Sequence, residues 1–352
     1  MSARPLLATL AVAGSLLALA SCASGSDNDA APTAQGDGAC TPAEAPTVDS
    51  EVTVEHALGT TTIPAGASRV ASVGWGNQDV ALALGFAPVG ADDQTWSMTG
   101  DDGLGLYDWT LDGYAALCAD EPVIFDTTDG VDFEAIADAA PDVILAAYSG
   151  LSEDDYATLS KIAPTVAYPD IPWYTPWREA IQLDADALGK SSEGEALVAD
   201  LDEQIADATA DITSFEGKKA AFFYVNPADL STISIYATGD SRTAFLGDLG
   251  FDAPQFALDT SESGAFYADI AAENADILAD VDVFVMYGDD DLVKAFQADP
   301  LWGTLDAVKN GAIVTMGSGD ALSGSVTPTA LSIPWMLDTY VGMLDDAASL
   351  AE

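Results

Sequence analysis

Residues 52–64 alternate apolar and polar side chains around Gly59, which predicts a β-hairpin. After it, short apolar runs and helical periods take turns. Arg69-Val70-Ala71-Ser72-Val73-Gly74 predicts a strand, residues 78–84 a helix closed by Gly85, and Pro88-Val89-Gly90 the next strand. The scheme continues with strands at 122–125, 142–148 and 165–168 and helices at 133–139 and 153–162. The second half repeats it, with strands at 219–225, 232–237 and 282–287 and helices between and after them. Such alternation predicts an α/β fold made of two Rossmann-like lobes, each a mostly parallel sheet with helices on both faces. A short local echo, Ile136 through Ile144 beside Ile277 through Phe284, fits a duplicated unit.

Between the halves lie two helical stretches. The first, 177–188, ends at Gly189, and Ser192-Glu193-Gly194-Glu195 then supplies a capping box in front of Leu197, Leu201, Ile205 and Ile212. Their spacing keeps one apolar stripe, and a helix of about 20 residues spans ~30 Å, enough to join two lobes.

The N-terminus has a different character. One positive charge at Arg4 precedes the uncharged run 6–20, which falls short of the ~20 residues of a spanning helix and ends in Leu19-Ala20-Ser21-Cys22. This reads as a signal peptide with a lipobox, so that the mature chain begins at a lipid-modified Cys22 and is held at the outer face of the cytoplasmic membrane. Residues 23–46 have almost nothing to bury and read as a tether. The expected organisation is a signal peptide at 1–21, a lipid-anchored tether at 22–47, one lobe at 48–176, interlobe helices at 177–214 and a second lobe at 215–352. Cys40 and Cys118 would then sit in an oxidising compartment, where a disulfide is expected and is worth about 4 kcal/mol in the chain-entropy model. Two free thiols are also compatible with the sequence.

With 58 acidic against 10 basic residues the formal net charge is −48, which excludes nucleic acid as a partner. The acids are spread along the chain, as befits a solvated surface. His56 is the single histidine, and neither a Gly-x-Ser-x-Gly elbow nor a phosphate-binding loop occurs, so the chain does not read as an enzyme. Direct capture of zinc or manganese is disfavoured by the same shortage, whereas an all-carboxylate site for a hard cation stays open. An adhesin would not need the aromatic strand ends described next.

The order of four pieces resembles the ferric-siderophore substrate-binding lipoproteins of iron-complex ABC importers. These are Arg69 through Gly74 with Asp79-Val80-Ala81-Leu82-Ala83-Leu84-Gly85 and Pro88-Val89-Gly90; residues 134–145; Asp299-Pro300-Leu301-Trp302 with Leu305, Ala307, Val308 and Gly311; and Leu331-Ser332-Ile333-Pro334-Trp335-Met336-Leu337. The resemblance spans roughly residues 52–347. It implies two lobes joined by one long helix, a monomer with no cofactor and no directly bound metal, and a ferric siderophore as ligand. The partners it implies are an ABC permease and its ATPase. Carriers of cobalamin and haem share the architecture and remain alternatives.

In such a protein the ligand sits against loops at the C-terminal ends of strands. That rule selects Trp75, Trp96, Tyr148, Ser149, Trp173, Tyr174, Trp177, Tyr236 and Tyr287, and the rings of the aromatic residues offer stiff contact area to a chelate rim. Three arginines follow Cys22 in the chain. Arg69 opens a strand; Arg178, which begins a helix beside three aromatics, and Arg242, which follows a second-lobe strand, are the expected contacts to chelate oxygens. On this reading Arg242→Ala weakens binding and leaves the melting temperature near wild type. The resemblance also implies a carboxylate on each lobe for permease docking: Asp79 on the first and, since Ala244 carries no charge, Asp248 one turn further on the second. The strongly negative field favours a neutral or cationic hydroxamate over a catecholate trianion.

Overall fold

The computed structural model describes residues 45–95 and 105–351. Trp96, Cys22 and Cys40, together with the expected signal peptide and most of the tether, lie outside those residues. β1 (Val52–His56) and β2 (Gly59–Ile63) form the expected hairpin, burying Val54 and Ile63 on one face. Next come β3 (Val70–Ser72), β4 (Gly90–Asp92), β5 (Val123–Phe125), β6 (Val143–Leu145) and β7 (Thr165–Val166), in the spatial order β5-β4-β3-β6-β7. Every pairing in this sheet is parallel. Consequently all five C-terminal ends open on one edge, and the central strands β3 and β6 are buried throughout.

The second sheet contains β8 (Ala220–Val225), β9 (Thr232–Tyr236), β10 (Tyr267–Ala271), β11 (Val283–Met286) and β12 (Ile313–Thr315), ordered β10-β9-β8-β11-β12. β8, β11 and β12 run parallel, but β9 is antiparallel to both of its neighbours. The antiparallel edge departs from a uniformly alternating pattern because β8 and β9 follow one another without an intervening helix.

The helix Trp177–Ala187 packs on β1 and on the helix Asn77–Ala83, and its neighbour, Ser191–Thr209, packs on Ser332–Ala348. The helix Ser191–Thr209 has Lys190 in the cap position and no side-chain cap, so the expected Ser192/Glu195 box is not formed. Its 19 residues span about 28 Å. One apolar cluster runs from Val80 through Trp177, Ile181, Leu201 and Ile205 to Phe222, Phe245, Ile333 and Tyr340. Both helices therefore share buried surface with the second sheet, while the first sheet buries its residues in separate clusters. Among the described residues, no helix is long and apolar enough to cross a membrane.

Candidate functional site

A cavity of about 650 Å³ lies where the C-terminal ends of β3, β4, β5 and β6 face the second sheet. Trp75, Tyr148, Ser149 and Trp173 line it from the first sheet, and Arg242, Phe266 and Thr327 line it from the other side.

The loop after β3 reaches this edge through Gly74. Its φ of +91° suits glycine, and a Cβ there would stand 2.4 Å from the Tyr148 carbonyl oxygen. Trp75 N–H donates to that same carbonyl at 3.0 Å. Trp173 is held differently: its backbone has φ +58° and donates N–H to Ser149 O at 2.9 Å, while the indole lies edge-on to Tyr148. Left-handed backbone in a bulky residue is uncommon and persists where the surroundings over-determine it. Here the absence of a side chain at Gly150 makes the room, since a Cβ would meet Trp173 Nε1 at 2.0 Å. Trp173 is nevertheless 42% exposed, an indole presented at the mouth of the cavity.

Arg242 sits in the first turn of the helix Ser241–Asp248. Its Nε and Nη2 donate to the two oxygens of Asp240 at 2.9 and 2.7 Å, Nη1 donates to Tyr287 Oη at 3.0 Å, and the guanidinium lies 3.8 Å from the centre of the Tyr236 ring. Asp240 is fully buried and also caps the helix by accepting from Arg242 N–H at 3.0 Å. Burial opposes the guanidinium charge, but Asp240 and Tyr287 outweigh it and hold the arginine pKa well above its ordinary value. Tyr236 and Tyr287 thus act on Arg242 as ring and hydroxyl, and neither lines the cavity itself. Removing Arg242 would strand a buried carboxylate, so the expectation of an unchanged melting temperature is revised: stability falls with binding.

Three further candidates lie outside the lining of this cavity. Trp177 is 3% exposed and its Nε1 donates to Asp248 at 2.9 Å, which puts it in the core instead of the cavity. Arg178 turns away as well, pairing with Asp248 at 2.8 Å and with Asp202, its guanidinium 4.2 Å from the Trp177 ring centre. Tyr174 bridges elements: its hydroxyl accepts Gly239 N–H at 3.0 Å and stands 3.1 Å from Ser261 Oγ. A second bridge, Tyr148 Oη to Ser241 Oγ at 3.1 Å, crosses the cleft directly.

Neither expected docking carboxylate is presented freely to solvent. Asp79 is fully buried and accepts from Trp109 Nε1 at 3.1 Å and from Thr110 and Thr329 hydroxyls at 2.6 Å. Burial raises its pKa to about 6 against the lowering effect of those donors. Asp248 is occupied by Trp177 and Arg178. Cys118 follows the helix Asp108–Ala116 with φ +55°.

Sequence reasoning missed Phe266, Thr327 and an acidic wall made by Asp92, Asp93, Asp129 and Asp155. The strand-end rule could have found Asp92 and Asp93, because they close β4; placing that strand at 88–90 moved its end two residues too early.

Comparison with known proteins accords with this geometry. The chain is 39% identical to PiaA of Streptococcus pneumoniae TIGR4, crystallised in complex with ferrichrome, with a TM-score of 0.82 over 86% of this chain and all of that one. It is 25% identical to Staphylococcus aureus SirA complexed with staphyloferrin B, with a TM-score of 0.66 over 83% of this chain and 98% of that one. It is also 28% identical to the probable siderophore-binding lipoprotein YfiY of Bacillus subtilis strain 168, across 74% of this chain and 78% of that protein. Residues 70–319 match the family described as periplasmic binding protein, and the chain belongs to that family.

Proposed function

We propose that this protein captures a ferric siderophore in the cavity between its two sheets and delivers it to an ABC importer. The observation that carries the reading is the cavity itself: about 650 Å³, walled by Trp75, Tyr148, Trp173 and Phe266, with one buried guanidinium stacked on Tyr236. Aromatic walls suit the apolar rim of a chelate, and a fixed guanidinium donates to its oxygens. The similarity to proteins named for ferrichrome and other siderophores supports the same reading.

A hydroxamate is favoured over a catecholate because Arg242 is already neutralised by Asp240, leaving no free positive charge to balance a trianion. Trp96 belongs with the ligand contacts in this proposal. The chain is further proposed to be cleaved before Cys22, lipid-anchored through it, stapled by a Cys40–Cys118 disulfide, and to work as a monomer with a permease and its ATPase.

Titration with ferric hydroxamates, followed by intrinsic tryptophan fluorescence, tests the reading. Quenching that saturates at low ligand concentration supports it. Silence toward every ferric siderophore, with saturation by cobalamin instead, overturns it.

A further inference from the structure

The two walls of the cavity treat charge oppositely. Arg242 is the single basic side chain among the lining residues, and its fork is closed on Asp240. Facing it are four carboxylates. Asp93 is engaged locally, accepting Thr127 N–H at 2.8 Å and the Thr95 hydroxyl, and Asp155 accepts Ser152 N–H at 3.1 Å. Asp129 is exposed. Asp92 differs from all three. It is 8% exposed, its Oδ2 accepts Gly74 N–H at 2.7 Å, and its Oδ1 is buried without a hydrogen-bond partner. An unsatisfied buried acceptor costs free energy that a donor brought by a ligand would recover.

Two other observations narrow what that donor is. The helices Phe133–Asp138 and Glu153–Leu159, which follow β5 and β6, begin with their own acids: Asp132 caps one and Ser152 with Asp155 closes the other. Their positive ends are thereby answered from within the chain and attract no anionic ligand. Nor do the carboxylates converge on a metal ion, since no three His, Cys, Asp or Glu side chains among the described residues are grouped to hold one.

We propose that the first-sheet wall binds a primary ammonium carried by the ferric chelate, with Asp92 Oδ1 as its buried acceptor and Asp129 and Asp155 flanking it. The cargo is then an amine-bearing, cationic hydroxamate. An ammonium supplies three donors on a compact charge, which matches one orphan oxygen on a cavity wall shared with other carboxylates. This inference rests on the siderophore reading and specifies its substrate class.

The test uses two probes that differ in a single charge: ferrioxamine B, whose free end is a primary ammonium, and its N-acetylated counterpart. With the full chain, acetylation is expected to weaken binding about tenfold at low ionic strength, and the gap narrows as salt screens the wall. Asp92→Asn and Asp129→Asn each bring the ratio of the two affinities closer to one, by about threefold for the exposed Asp129. Because Asp92→Asn alters a buried group, Asp129→Asn provides an independent variant, and thermal melts confirm that both are folded. Equal affinity of the wild type for the two probes, or a ratio unmoved by either substitution, overturns the ammonium site while leaving siderophore capture standing. Failure of both probes and of every other ferric siderophore to bind overturns the siderophore reading, and this inference with it.

Discussion

Arg242 and Arg178 make nearly the same contacts in two places. Each guanidinium lies over an aromatic ring, Tyr236 or Trp177, and each is held by aspartate. They differ in surroundings. The Arg242 side chain is 9% exposed and its Asp240 partner 0%, whereas Arg178 and its partners Asp202 and Asp248 are 38%, 43% and 20% exposed. Water answers the second set of charges if the pairing is lost, but it reaches the first far less, since Asp240 is fully buried. The same chemistry therefore builds a buried part of the cavity wall and a surface clasp between helices elsewhere.

Arg242→Ala puts this contrast under the greatest load. It should cost about 3–5 kcal/mol by leaving Asp240 buried and unpaired, and it should abolish high-affinity quenching. Denaturant midpoints together with fluorescence titration would show both losses; an unchanged midpoint would mean that Asp240 is not isolated from water. A second carboxyl tests burial through pH. Burial raises the Asp92 pKa from 3.8 to about 7, with Asp93 and Asp132 adding to the rise. The folded state then holds the proton more tightly than the unfolded chain, so this group's stabilisation is complete below about pH 4 and falls as pH climbs toward 7. Wild type should lose about 2 kcal/mol relative to Asp92→Asn between pH 5 and 8, read as diverging melting curves. Tyr287→Phe removes one hydrogen-bond partner from Arg242 and should cost about 1 kcal/mol, with weaker ligand binding in the same titration. Arg178→Ala should have the smallest effect, under about 1 kcal/mol, shrinking further in high salt and leaving ligand affinity unchanged.

Much of the architecture is legible in the chain because burial imposes period: β3 and β6 are buried on both faces, and the hairpin of β1 and β2 alternates. The strand β10 is not legible. Of its five residues, Tyr267–Ala271, only Ile270 is buried, so the segment carries no readable period and looks like loop. The site is legible in part. Trp75, Tyr148, Ser149, Trp173 and Arg242 follow from the strand-end rule and do line the cavity. Asp240 stays hidden because its fork on Arg242 depends on the turn that opens the helix Ser241–Asp248, a geometry two residues of sequence do not announce. Arg178 and Trp177 mislead for the converse reason: proximity to aromatics in the chain says nothing about which side of a helix meets the cavity.

The position of Asp240 two residues before Arg242 has a kinetic consequence. Cation and counter-ion are carried by one helix start, while Tyr236 ends β9 and Tyr287 follows β11 of the same sheet, so this cluster moves as a unit. Separation of the cleft walls breaks the neutral Tyr148–Ser241 contact while leaving the Arg242–Asp240 pair closed. The activation barrier to ligand entry then contains little electrostatic work at this point, and the rate of entry of an uncharged ligand should scarcely respond to salt.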